Sequence, residues 1–582
     1  MHKLICIIAA LLLTVANAAW AVRAKGGWHD VRQADGTTLR VTLCGDEWFN
    51  YYMTTDGVPL VLSDDGRSLC YADCIGFALS STGVLAHEAA ERTADEQRLL
   101  ATTGSIDAMM PMARAMQRQA NQRRALQKGN YVGVFKGIVI LIDFPDRSFS
   151  MENPQQFYSE MLNADGFSMY NSPGSVHNYF LDQSEGQLDL TFDVVGPITA
   201  SRNSNGYYNN GNERVRSELV PEMVRAAAGQ VTLKDYDWNG DGEIEQVMFI
   251  YAGYTSSDYY PEIDSTVVAK DCIWPHEWSL SSPLSIDGVK VSTYACSNER
   301  WIDNSIAGFG TLCHEFSHCM GLPDLYDVRY DSSVSANGGI MDKWDIMDGG
   351  NYNHGGWVPA GYSGYERIYC GWRTPIDLNE PVSIRGMQAL NDGGPLYTLT
   401  NDCASSRVEE FYVLENRQKQ KWDRYVPGHG LLVTHVDYSA SAWANNSVND
   451  DLNHLRQIYI PADNDLLCYY KNLTSPKYAA YPYVNEELGV RNDSLTNQSV
   501  PAATVFNRNR KGSYFMDKPI TGITEAGKLV GFDVMGGDPS AVRDVETAGA
   551  AAVGSRAYNL GGRSTGSNKG LVVKKGKKYI QH

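Results

Sequence analysis

Alternation of apolar and polar positions divides the chain before any single residue is weighed. From residue 24 to about 86, runs such as "TTLRVTLCGDEWFNYYMTTDGVPLVL" alternate with period two and are punctuated by Asp-Gly pairs. That pattern predicts small strands joined by tight turns. "AHEAAERTADEQRLLA" then changes to helical composition. Arg114 to Lys128, "RAMQRQANQRRALQK", is basic and Gln-rich, a linker or a surface helix. "VFKGIVILIDFPD" is a β-branched apolar run of the kind that forms a buried strand. Helical and strand patterns continue to a helix around residue 315. After about Trp372 the character turns to strands and turns, as in "EFYVLENRQ", "GHGLLVTHVDY" and "LVGFDVMGG". A separate β-rich, sandwich-like domain follows from that pattern. Residues 538–555 are Ala/Gly-rich, and the end, "YNLGGRSTGSNKGLVVKKGKKYIQH", reads as a basic hairpin. No tandem repeat is present.

Length and charge narrow the class. A chain of 582 residues predicts two to four domains. A formal charge of −18 argues against a nucleic-acid or anionic-membrane binder. The start carries an address: "MHK", the apolar "LICIIAALLLTVA" and Ala16-Asn17-Ala18 make a secretory signal peptide over residues 1–18. No later segment is long and apolar enough for a transmembrane helix, so the expected location is secreted or cell surface. Of eleven cysteines, Cys6 falls in the leader. The rest divide unevenly among the predicted domains, so either a bridge crosses between domains or free thiols remain.

The chemistry concentrates in "TLCHEFSHCMGLPDLYD", residues 311–327. His314 and His318 are i and i+4 and share one face of a helix, where two neutral imidazoles can hold one zinc ion. Glu315 is rotated about 100° from His314. There it is placed to take the proton of a metal-activated water rather than to ligate. Gly321 permits a left-handed turn and Pro323 prevents the helix from resuming, so Asp324 comes back as a third ligand. "KWDIMDGG" follows, with Met347 in a tight turn and Met341 as the competing choice for a methionine beneath the metal.

"HEFSHCMGLPDLYD" together with "WDIMDGG" resembles the immune inhibitor A-type secreted zinc metalloproteases, a metzincin branch whose third ligand is Asp. "GIVILIDFPD", "VHNYFLDQSEGQLDLTFDVVGP", "IWPHEWSL" and "GYERIYCGW" are similar to that family's catalytic region, in order. "FYVLENRQKQKWDRYVPGHGLLVTHVD" is similar to its β-rich domain, and "DGTTLRVTLCGDEWFNYY" to its propeptide. The resemblance implies an α+β fold: a small propeptide domain, a metzincin-like zinc protease domain, then the β-rich sandwich-like domain. The boundaries expected are 19–128, 129–372 and 373–537, with 538–582 as linker and sorting-type tail. It implies a zymogen whose zinc is held by His314, His318 and Asp324, with protein or peptide substrates. An activating protease is implied too, Arg123-Arg124 being open to a trypsin-like enzyme, and the tail suggests surface-export machinery. Cys313, Cys319 and Ser317 depart from the usual pattern around the motif.

Other features keep two readings. "DYDWNGDGEIE" gives Asp237, Asn239 and Asp241 the spacing of an EF-hand-like calcium loop, with Glu245 as substitute for the missing Glu at the twelfth position. The other reading is a polar turn before the strand "QVMFIYAG". Cys44 is a candidate for silencing the zinc, against a disulfide to Cys70 or Cys74. His276, between two tryptophans, and His435 and His454 read as structural. His87-Glu88 lacks a second His at ligand spacing. Substrate is expected to pair with an edge strand, taken to be the one around "VSTYACSNE". The rival functions are a surface adhesin on a protease fold and a glycoprotein- or mucin-targeted enzyme gripping sugars with its β-rich domain.

Overall fold

The long apolar run opening the central region forms a strand buried on both faces, and the site is built around it. In the computed structural model the described residues are 19–46, 49–75, 78–104, 131–207, 214–258, 262–264, 267–268, 271–327, 340–465, 476–487, 489–537, 542–543, 570–574 and 577–581. The predicted leader, the stretch Arg114 to Lys128 and most of the Ala/Gly-rich linker lie outside them.

The N-terminal part begins with a short strand, β1 (Ala19–Ala21), and continues as β2 (His29–Arg32), β3 (Thr38–Gly45), β4 (Asn50–Thr54), β5 (Pro59–Leu62), β6 (Leu69–Ile75) and β7 (Ala78–Leu85). Strands β2 to β7 make an antiparallel meander in sequence order. Its Asp-Gly turns are where alternation predicts them, with Gly36, Gly57 and Gly66 at positive φ. The helix expected nearby is shorter than its composition suggests. It runs Ala94–Leu100, started by a capping box of Thr93 and Glu96, while His87 stays outside it and bridges Glu96 and Asp35.

The central sheet contains β8 (Gly133–Asp143), β9 (Leu188–Thr199) and β10 (Val247–Tyr251). After a small hairpin, β11 (Glu262–Asp264) and β12 (Val267–Val268), it adds β13 (His276–Ile286) and β14 (Val289–Asn298). Its order is β1-β13-β14-β10-β8-β9, with β14, β10, β8 and β9 parallel and β13 antiparallel. Along β8, Val139 and Leu141 face one core while Ile138, Ile140 and Ile142 face another. Covering on both faces is why the run is continuous rather than alternating.

The helix Gly310–Cys319 packs across β13 and β14 on the first of these faces, with Phe316 edge-on to Phe180 and Phe192. It comes out as the histidine spacing predicts.

Beyond it lie β15 (Ile376–Asp377), β16 (Val382–Met387), β17 (Tyr397–Thr400), β18 (Glu409–Arg417), β19 (Gly430–Tyr438) and β20 (Gln457–Tyr459). They are followed by β21 (Tyr483–Asn485), β22 (Val490–Asn492), β23 (Ile520–Ala526) and β24 (Leu529–Val534). A five-stranded sheet, β15-β17-β18-β19-β20, stacks on β23-β24-β16 through Tyr412, Leu414, Leu431, Val433, Phe532 and Val534. Its other face, through Val413, Leu432 and Val436, joins the core that holds the 310–319 helix. The sandwich expected here is therefore present, with one sheet buried on both sides. Residues 1–541 form one compact unit. In the second unit, residues 570–574 and 577–581 pair as an antiparallel hairpin, as their alternation predicts. No helix among the described residues is long and apolar enough to cross a membrane.

Candidate active site

His314 and His318 stand side by side on the buried face of the helix, ring planes 86° apart and centroids at 4.8 Å. Each ring is fixed from behind. His314 Nδ1 meets the Ile346 carbonyl at 2.7 Å and His318 Nδ1 meets that of Leu322 at 2.8 Å. A carbonyl accepts only, so both Nδ1 atoms carry the proton and both Nε2 atoms present a lone pair to the same space. Burial pushes the His318 pKa down to about 3, so the ring is neutral at neutral pH.

Gly321 adopts the left-handed conformation expected, φ 87°, and its amide returns to the His318 carbonyl. The chain then turns so that Asp324 Oδ1 lies 3.2 Å from His314 Nε2 and 3.6 Å from His318 Nε2. Ligand atoms at the zinc–nitrogen distance of about 2.0–2.1 Å stand about 3.3 Å apart on a tetrahedron, so the three donors fit that ion. Asp324 Oδ1 and His314 Nε2 are buried without a hydrogen-bond partner, a costly condition that a cation between them relieves. The remaining Asp324 oxygen is taken by Asn446 Nδ2 at 2.5 Å, while the Asp324 amide donates to Asn446 Oδ1 at 2.8 Å. Asn449 holds the Leu325 carbonyl from the same segment. Nothing in "WANNSVNDDLN" marks Asn446 out, and sequence reasoning missed it.

Met341 and Met347 are both fully buried in the core beneath the helix. Met347 belongs to the turn that supports the site, for its carbonyl accepts the Leu325 amide and its neighbour Ile346 fixes His314. Ser317 points elsewhere: its hydroxyl donates to the Cys313 carbonyl and contacts the Tyr362 hydroxyl.

Glu315 Oε2 is 3.9 Å from His318 Nε2, and the carboxyl is fully buried. Burial first, then the nearby Asp324 and Glu277 carboxylates, hold its pKa well above the usual range. The backbone amides of Val22 and Glu277 are the groups that pull it back. Val22 is unexpected there. The segment that contains it enters along the sheet edge, where β1 pairs antiparallel with β13 in the register Ala19↔Trp278, Trp20↔Glu277, Ala21↔His276. Two expectations are corrected by this. The strand that takes up the pairing next to the edge is β13, "HEWSLSSPLSI", with only β1 outside it, and not the one around "VSTYACSNE", which is β14 and internal. Cys44 is not what covers the site, for its thiol lies in β3 and donates to the Thr42 carbonyl. The eight cysteines described as free include Cys44 and Cys70, so the Cys44–Cys70 bridge is absent as well.

The second predicted metal loop closes on itself. Asp237 accepts from the amides of Gly240, Asp241 and Gly242, Asn239 from Asp241, Asp241 from Glu243, and Glu245 from Trp238. That is the polar-turn reading, and among the described residues the group converging at metal-ligand range is His314, Glu315 and His318. His276 is structural as expected, fixed between the Trp274 carbonyl and the Tyr294 hydroxyl. His435 and His454 pair with Glu410 and Asp437.

Residues 124–373 match the immune inhibitor A peptidase M6 catalytic domain. The resemblance read from the motifs holds over that segment, which takes in His314, Glu315, His318, Asp324 and the Met347 turn. Among curated proteins, the pre-pro-metalloprotease PrtV of Vibrio cholerae serotype O1 is 25% identical over 278 residues, 40% of this chain and 29% of its own length. Immune inhibitor A of Bacillus thuringiensis subsp. alesti is 24% identical over 259 residues, 37% of this chain and 36% of its own length. The chain thus spans about a third of either relative.

Proposed function

We propose that the chain is a secreted zinc-dependent endopeptidase made as a zymogen, with His314, His318 and Asp324 holding the metal. The observation that carries this is the convergence of two tautomerically fixed imidazoles and one clamped carboxylate on a single buried point beside Glu315. The M6 catalytic-domain match and the two relatives' names support the same reading. Zinc bound there supplies Lewis acidity, lowering the pKa of a water and polarising a peptide carbonyl. Glu315, beside that point, would take a proton from the attacking water and return it to the leaving amine. An extended substrate lies antiparallel to β13, the path that β1 now follows. Occupation of that path by residues 19–25 supports latency, with residues 19–128 as propeptide and release after cleavage near Arg123-Arg124. The leader at residues 1–18 supports export, and peptide bonds of extracellular proteins are then the substrates.

The test is metal analysis joined to cleavage. The purified chain should carry close to one zinc, and after trypsin treatment should cleave casein in a way that chelation abolishes and zinc restores. His314→Ala, His318→Ala and Asp324→Ala should each fold and lose the metal. A folded parent that takes up no zinc would contradict the assignment.

A further inference from the structure

The segment over the site, residues 22–25, continues from β1 and alternates its side chains between two faces. Val22 and Ala24 bury their side chains in the core of the N-terminal meander, beside Trp274. Arg23 and Lys25 alternate with them and point the other way. Arg23 Nη2 sits 2.7 Å from Asp342 Oδ1, and its Nε lies 3.2 Å from Asp348 Oδ1. Lys25 Nζ reaches Asp258 Oδ2 at 3.0 Å and lies over the Trp301 ring. The main chain is held as a bound peptide is held: Trp274 Nε1 donates to the Val22 carbonyl, Tyr352 Oη to that of Arg23, and the Lys25 amide to Ser257.

The recess around Arg23 fits that side chain closely. Gly349 forms its floor, and a Cβ there would come within 2.0 Å of Arg23 Nη2. Asp348 is fully buried and is kept in place by the amides of Met341, Asp342 and Gly349. Asp342 and Asp348 flank Ile346, whose carbonyl fixes His314, so the recess and the proposed metal site are built from one loop.

Resting on the peptidase reading above, we propose that the recess of Asp342, Asp348 and Gly349 is a substrate subsite for an arginine or lysine side chain. A buried Asp348 carboxylate with the half-buried Asp342 carboxylate beside it is unfavourable without a cation, so the recess selects a basic side chain whenever residues 19–25 leave. Arg23 is the chain's own occupant, holding the site shut by the contacts a substrate would use. Asp258 gives a second basic preference two residues further on.

The test uses the full-length chain. Arg23→Gln keeps length and loses charge, and should cleave a quenched-peptide library about tenfold or more faster than the parent, the usual scale for removing one partner of a buried charged pair. Arg23→Lys should stay close to the parent. Products should carry Arg or Lys at one fixed position relative to the cut, and Asp342→Asn added to Arg23→Gln should remove most of that preference. If Arg23→Gln does not fold, the trypsin-treated parent is profiled in its place. Binding is read separately, by fluorescence anisotropy of a labelled AWAVRAK peptide on the zinc-loaded chain freed of residues 19–128 by trypsin, against the same peptide with citrulline for arginine. Citrulline should weaken binding about tenfold or more. Cleavage without basic preference, or equal binding of the two peptides, would overturn the subsite and leave the peptidase intact. Selective binding without any cleavage would sustain the recess and overturn the peptidase reading.

Discussion

Asp324 reaches the two histidines only because its second oxygen and its amide are both held by Asn446, a side chain 122 residues away. Asn446 itself stands at φ 49°, a left-handed conformation that Asn tolerates better than most residues. Asn446→Ala should leave the histidines in place and free Asp324 to rotate. Zinc affinity, measured by competition with a chromophoric chelator, should fall about tenfold to a hundredfold, the scale for partners that orient a metal ligand. Unchanged affinity would mean that the turn at Gly321 alone positions Asp324. At this scale legibility follows distance along the chain. His314, Glu315, His318 and the Gly321 turn obey helical periodicity and local backbone sterics, and the chain declares them. Asn446 and Arg23 act through tertiary contacts and carry no local mark.

Which strand forms the edge of a sheet is a property of the whole sheet. β13 and β14 are both buried near the site, and only long-range pairing makes β13 the one that receives β1. β8 was legible as a buried strand because it must be apolar on both faces, and the meander because its Asp-Gly turns force its hairpins. His276 ties β13 to β14 and gives this edge a pH dependence. Burial pushes its pKa down from 6.5 to about 4, so the unfolded chain binds the proton first as the pH falls. Stability present above pH 6.5 should therefore be lost as the pH drops towards about 4, by about 3 kcal/mol from this one group. Melting temperatures taken between about pH 7 and pH 4.5 should fall more steeply for the parent than for His276→Gln. Parallel slopes would show that His276 does not govern that loss.

For the molecule as a whole, the change of character at Trp372 marks where the β-rich region starts, but not how far its core extends. β18 and β19 are buried almost throughout because one face closes the sandwich and the other completes the core under the metal helix. The charged interior follows from that arrangement: Arg417, fully buried, bridges Asp423 and Glu415 and donates to the Trp344 and Gly361 carbonyls. The region that clamps Asp324 therefore supports the proposed metal site. The N-terminal part contributes β1, which pairs along β13.

The central claim is that Glu315 hydrolyses peptide bonds at a zinc held by its neighbours. Casein cleavage by the trypsin-treated parent and by Glu315→Gln, with zinc measured in both, tests it most directly. Equal zinc in the two, with cleavage lower in the variant by about a hundredfold to ten-thousandfold, is the result expected for loss of a general base. Equal zinc with equal cleavage would contradict the account.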